Sequence, residues 1–146
     1  MLFRSDNSRG QLGRSSGDVK RILRISNIPP MLTASCGGYH TLCLDDNGGV
    51  WSWGDAGNGR LGTGNTSSRY RPAPIPLLKG MSAVVAGRLH SLTFPQKGGL
   101  LVFGFNRNGQ LGLNHTNDQT TPTLCLVQPE LPQTFIPSRK KNARFL

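Results

Sequence analysis

From Tyr39 to Asp45 apolar and polar residues alternate: His40, Leu42 and Leu44 fall on one side and Thr41 and Cys43 on the other, at the period of a half-buried strand. Asp46-Asn47-Gly48-Gly49 follows, and an Asn-Gly pair supplies the positive φ angles of a tight hairpin. Val50-Trp51-Ser52-Trp53 is the returning strand, so residues 39–54 are predicted to form a hairpin. The aromatic strand then runs into a glycine-dense turn, Gly54-Asp55-Ala56-Gly57-Asn58-Gly59-Arg60-Leu61-Gly62.

Fifty positions later the same order returns. Ala86-Gly87-Arg88-Leu89-His90-Ser91-Leu92 answers Cys36-Gly37-Gly38-Tyr39-His40-Thr41-Leu42, and Gln96-Lys97-Gly98-Gly99 answers the hairpin turn. Phe103-Gly104-Phe105-Asn106-Arg107-Asn108-Gly109-Gln110-Leu111-Gly112 answers the aromatic strand end and its turn. Near the N-terminus Gly10-Gln11-Leu12-Gly13 repeats the close of that turn, with Phe3 standing where Trp53 and Phe103 stand. What is kept is Gly37 and Gly87, His40 and His90, the aromatic with its Gly54 or Gly104, the Asn58-Gly59 and Asn108-Gly109 pairs, and the Leu61-Gly62 and Leu111-Gly112 pairs. Keeping turn formers and core positions while polar residues vary marks a stacked supersecondary unit.

The predicted units are 1–30, 31–80 and 81–127, the first beginning in mid-unit. Val19 to Ile25 sits where Pro72 to Leu78 and Pro122 to Val127 sit in the later units; helix and strand both fit it locally, and the repeat favours strand. Beyond Val127 the periodicity fades, and residues 128–146 are read as a poorly ordered basic tail. Nineteen Gly and ten Pro in 146 residues, with no collagen-like period, suit many short strands joined by turns, so the expected class is all-β.

Charge changes the picture at the ends. Of the 17 Lys and Arg and 7 Asp and Glu, residues 25–132 hold seven and five, residues 1–24 six and two, and residues 133–146 four and none. Basic ends attract phosphates and anionic surfaces without reading sequence, so nucleic acid or chromatin is an expected contact of the termini. Cys36, Cys43 and Cys125 are an odd number with no Cys-x-x-Cys pair, which points to neither a disulfide framework nor a zinc site and fits a reducing cytoplasmic or nuclear compartment. The first residues carry no apolar signal core, no run approaches the about 18 apolar residues of a spanning helix, and no membrane contact is expected. Asn65-Thr66-Ser67 and Asn114-His115-Thr116 match a glycosylation sequon and are read as polar loop residues.

An aromatic strand ending in Gly, then Asn-x-x-Gly-Gln-Leu-Gly, with a Gly-x-x-His strand upstream, resembles the repeat of the regulator of chromosome condensation family. Residues 103–112 match best, Arg60 replaces the usual Gln in the preceding unit, and the resemblance covers about residues 3–127. It implies a β-propeller of four-stranded blades; propellers have about four to eight of them, and this family about seven. Kelch repeats share the period, but the Gly-Gln-Leu-Gly turn favours the first family. Two full units and part of a third do not close a ring, so the expected fold is an incomplete propeller: a segment of a longer one, or a protomer completed by further repeats or self-association.

His40 and His90 lie in different units with no acidic or Cys partner at ligand spacing, and each is read as a structural histidine bonding a nearby turn. Asp45 and Asp46 are read as turn residues, and Trp51 and Trp53 as core. No phosphate loop, no Gly-x-Ser-x-Gly elbow and no His-Glu-x-x-His occurs, so a non-enzyme with neither cofactor nor metal is expected. Contact residues are expected on loops: Arg60, Arg69, Arg71, Arg88 and Arg107, with Arg139, Lys140 and Lys141 in the tail. The expected function is a protein-interaction scaffold. Two other readings stand beside it: part of a guanine-nucleotide exchange factor for a small GTPase with chromatin contact, which the resemblance implies, and the substrate-recruiting propeller of a multidomain ubiquitin ligase or kinase.

Overall fold

A computed structural model describes residues 6–14 and 24–126. Phe3, most of the Val19–Ile25 run and the whole basic tail with Arg139, Lys140 and Lys141 lie outside the described residues. Strands β1 (Met31–Cys36), β2 (His40–Asp45), β3 (Val50–Gly54) and β4 (Arg69–Pro74) form one sheet, and β5 (Met81–Ala86), β6 (His90–Pro95), β7 (Leu100–Gly104) and β8 (Gln119–Cys125) form another. Both are antiparallel, with strands in sequence order. The sheets do not close on each other, and the chain is an all-β, incomplete β-propeller with two full blades.

The fifty-residue spacing survives as register. His40 pairs with Gly54 and His90 with Gly104, and the bulges in the two outer pairings of each sheet recur at matching places. Pro72 and Pro74 fall on β4, an edge strand, where a missing N–H breaks no ladder. The first hairpin departs from the tight Asn-Gly turn expected of it. Its connection has four residues, and only Gly48 takes a positive φ, at 77°. The turn is closed by a backbone bond from the Gly48 N–H to the Asp45 carbonyl at 3.1 Å, and the Asp45 carboxylate adds to it: Oδ1 accepts the N–H groups of Asn47 and Gly49 at 2.9 and 2.7 Å. In the second hairpin Pro95 occupies that position.

The core lies between the sheets. Leu42, Leu44, Val50, Ile75 and Leu78 of the first blade meet Met81, Val84 and Phe103 of the second. A half-buried strand was expected at residues 40–45, whereas every residue of β2 is buried. The reason is that both faces are covered: His40, Leu42 and Leu44 face the second sheet, and Thr41 on the opposite face donates from Oγ1 to the Gln11 carbonyl of the N-terminal turn at 2.8 Å. On β6 the same alternation has one face covered. Ser91 and Thr93 are buried, while Leu92 and Phe94, the matches of Leu42 and Leu44, stay half-buried because no described sheet lies beyond them.

Candidate interaction surface

The residues kept in the repeat converge on the joints between units. At each joint the hydroxyl that follows the histidine donates to the carbonyl just before the turn leucine of the preceding unit: Thr41 to Gln11, and Ser91 to Arg60, both at 2.8 Å. The aromatic at the end of the third strand lies against the glycine that closes that turn. Trp53 donates from Nε1 to the Gln11 carbonyl at 2.9 Å, and a Cβ on Gly62 would stand 2.9 Å from the Phe103 ring. Leu61 and Leu111 are buried under their own turns. Asn58 and Gly59 both adopt left-handed backbone, as their pairing suggested; of the second pair Gly109 does and Asn108 does not.

His40 is tied to the neighbouring sheet, in place of the nearby turn expected for it. Its Nε2 lies 2.9 Å from Ser91 Oγ. The Ser91 proton is already committed to the Arg60 carbonyl, so Nε2 carries the hydrogen and donates, leaving Nδ1 bare. Nδ1 has no hydrogen-bond partner among the described residues, and the residue is 1% exposed. Burial above all, with the Arg60 and His90 charges adding and Asp55 opposing, lowers its pKa to about 4. His90 is the match of His40 on the uncovered side of β6; it is half-buried, and burial lowers its pKa too.

Two Asn side chains organise the turns. Asn7 Oδ1 accepts the N–H of Leu12 at 2.9 Å, and Asn106 Oδ1 that of Leu111 at 3.0 Å. Asn106 Nδ2 also donates to the carbonyls of His115 and Asn117 at 2.8 and 3.0 Å. Gln11 and Gln110 then accept the N–H of the residue two places earlier. The middle turn has Ala56 and Arg60 at these two places and is built another way. Arg60 Nε donates to the Gly57 carbonyl at 2.7 Å, Nη2 to Asn58 Oδ1 at 3.2 Å, and Nη1 stands 3.5 Å from Asp55 Oδ2.

Strand direction puts the 37–39 and 87–89 turns and the 55–68 and 105–118 loops at one end of the array. Gly38 N donates to the Arg88 carbonyl at 3.0 Å, and Asn58 Nδ2 to Asp118 Oδ2 at 2.8 Å, so the two blades hold these loops jointly. The predicted contact residues divide there. Arg60 is 4% exposed with its guanidinium folded into its own turn, so it is a turn builder and offers little to a partner. Arg88 is exposed on its turn, and Arg107 is exposed 3.8 Å from Asp118. Arg69 opens β4 and its Nη1 donates along the strand to the Pro74 carbonyl at 3.5 Å, while Arg71 lies further along β4 and lines a different cleft. The structure thus brings Arg88 and Arg107 to one end and separates Arg71 from them. Sequence reading missed Thr41 and Ser91 and took Asn106 only as a letter of the motif; a hydroxyl after His40 and His90 and an Asn five places before Leu12 and Leu111 were the signals.

Blades in sequential order, joined by hydroxyl-to-carbonyl bonds and presenting loops at one end, define a β-propeller repeat segment. The chain belongs to the regulator of chromosome condensation (RCC1) repeat family: the repeat matches residues 47–94 and 97–137, and a second form of it residues 33–60. The chain is 39% identical over 81 residues to the protein RCC2 homolog of Xenopus laevis, 49% of this chain and 14% of that one. Human WBSCR16 in its crystal structure superposes with a TM-score of 0.68 at 25% identity, over 82% of this chain and 33% of that one. Prp20p of Saccharomyces cerevisiae gives 0.53 at 28% identity, over 70% and 26%. The chain therefore spans a third or less of each of these proteins.

Proposed function

We propose that this segment is a non-catalytic scaffold that binds a protein partner through the loop end of its blades, in the cytoplasm or nucleus. The observation that carries the reading is the rigid joint presentation of exposed Arg88 and Arg107, on turns tied across the two blades by backbone and Asn58–Asp118 bonds. Residues 1–30, 31–80 and 81–127 are taken as its units and 128–146 as a basic tail that adds salt-dependent attraction to chromatin. Further repeats, or other chains, complete the ring.

A second reading, part of a guanine-nucleotide exchange factor, is favoured by the likeness to Prp20p, a protein described with binding properties to Gsp1p and histones. Nucleotide release from a panel of purified small GTPases separates the two. The scaffold reading expects binding, weakened by Arg88→Glu and Arg107→Glu, without faster release. Accelerated release supports the exchange reading, and binding that ignores both charge reversals removes the loop end from consideration. For the tail, DNA retention of the whole chain is compared with a version ending at Gln128; salt-sensitive retention undiminished in the shorter chain refutes a tail contribution.

A further inference from the structure

The joint between the N-terminal turn and the first blade holds a feature that the joint between the two blades lacks. Gly13 packs against Pro72 of β4, and beside this contact opens a cleft of about 350 Å³. Arg14, Arg24 and Arg71 all line it, together with Ile25, Ile28 and Pro72, and among the described residues no Asp or Glu does. Among the described residues none of the three arginines has a carboxylate within ion-pair distance; Arg14 Nη2 donates to the Arg24 backbone carbonyl at 3.3 Å, which holds the Arg14 head at the cleft.

The fold does not ask for these charges. In the matching joint, where Gly62 and β8 take the places of Gly13 and β4, Thr63 stands for Arg14 and Thr121 for Arg71. That joint is tied by a Gly64 N–H to Thr120 carbonyl bond of 2.8 Å, and a Cβ on Gly64 would stand 3.7 Å from the Thr121 methyl. Gathering like charges with no carboxylate opposite them among the described residues costs Coulomb energy, and an anion would offset it.

We infer that this cleft binds a phosphate monoester, its dianionic head held by the Arg14, Arg24 and Arg71 guanidinium groups and its attached body resting on Ile25, Ile28 and Pro72. Guanidinium forks match phosphate oxygens in pairs, and a terminal phosphate offers three free oxygens and up to two charges where a nucleic-acid diester offers two and one. The volume sits at the lower end of the about 300–1,000 Å³ of small-ligand sites, which suits one phosphorylated group and not a tracked backbone. The head belongs either to a free small molecule or to a phosphorylated side chain, and the recognition is the same for both.

The test is calorimetric titration of the full chain at low salt with inorganic phosphate, a small phosphomonoester, a phosphoserine peptide with its unphosphorylated twin, and a single-stranded oligonucleotide without terminal phosphate. Arg14→Thr and Arg71→Thr are compared with wild type, since each installs the residue the protein itself uses at the matching place; Lys97→Thr, on the exposed hairpin turn of the second blade, is the remote control. Tryptophan emission verifies that each variant is folded. Expected is monoester binding that weakens about tenfold or more in each cleft variant and is unchanged in the control. Preference for the free phosphomonoester or for the phosphopeptide assigns the source of the head. Absence of monoester binding at millimolar concentration, equal binding by the folded cleft variants, or tighter binding of the oligonucleotide would overturn the inference.

Discussion

Acidification should loosen the joint between the blades well before the carboxylates titrate. An unfolded chain holds His40 at its ordinary 6.5 and the folded one at about 4, so between these values the unfolded state carries the extra proton. Stability is therefore complete above about pH 7 and falls as pH drops through 6.5 toward 4. The full difference corresponds to about 3 kcal/mol, of which about 2 kcal/mol is lost by pH 5. The structure supplies the reason for its size: a proton would arrive at Nδ1, which has no acceptor, inside a joint that also holds Arg60. Asp6 and Asp45 do not confuse the window. Ser8 donors lower the first. For Asp45, burial acts upward, but the Trp51 indole and the Gly49 and Asn47 amides outweigh it; both therefore lose stability only below the ordinary Asp value of 3.8.

The assay is urea unfolding followed by the emission of Trp51 and Trp53, both on β3, at a series of pH values from about 7 to 5. His40→Gln keeps an amide donor for Ser91 and removes the titration. Its slope should shrink to the residue contributed by His90, whose pKa burial also lowers. A wild-type midpoint that stays constant over this range, or a variant that falls as steeply, refutes the argument.

Gly59→Ala and Gly109→Ala place the same change at the same point of two turns. A Cβ on Gly59 would strike the Thr120 backbone, with Gln119 O only 2.6 Å away, whereas one on Gly109 meets nothing within 4 Å. Gly109→Ala should cost the about 1–2 kcal/mol of left-handed backbone and Gly59→Ala clearly more, in urea unfolding; equal costs would contradict the packing. Asn106→Ala strips three bonds from a fully buried site and should destabilise by about 3 kcal/mol, detected as a lower unfolding midpoint; a loss under half that would show the turn rebuilding itself. Burial, with Cys36 adding, lifts the Cys43 thiol to about 11, so iodoacetamide should modify exposed Cys36 in the folded chain and reach Cys43 only on unfolding; mass spectrometry of peptides reads the order.

The strands were legible because each sheet repeats one grammar: alternate core positions, an aromatic, a glycine, and a turn leucine fifty residues apart. Burial of β2 on both faces was not. The alternation His40, Thr41, Leu42 reads as one wet face, and only the stacking of the N-terminal turn against Thr41 makes the second face dry. The hairpin turn went astray because an Asn-Gly pair suggests a two-residue connection, whereas both hairpins use four residues closed by a backbone bond, Gly48 to Asp45 and Gly98 to Pro95, with Asp45 adding side-chain bonds in the first. Candidate contacts were the least readable. Arg60 and Arg107 look alike in sequence, yet one is enclosed by Asp55 and its own turn while the other projects into solvent.

That contrast explains why the middle turn can depart from the family's Gln without losing its shape. Gln11 and Gln110 accept an amide two residues back, a task a guanidinium cannot perform because it has no acceptor. At the middle turn the neighbours change together: Ala56 removes the Asn that would fill the turn interior, Asp55 brings a carboxylate in place of Phe105, and the Arg60 side chain fills the turn by donating to Gly57 and Asn58. The carbonyl of the same residue still receives the Ser91 hydroxyl. The joint between blades depends on that backbone oxygen, so the side chain above it is free to be exchanged, and the repeat retains its spacing while its turns diversify.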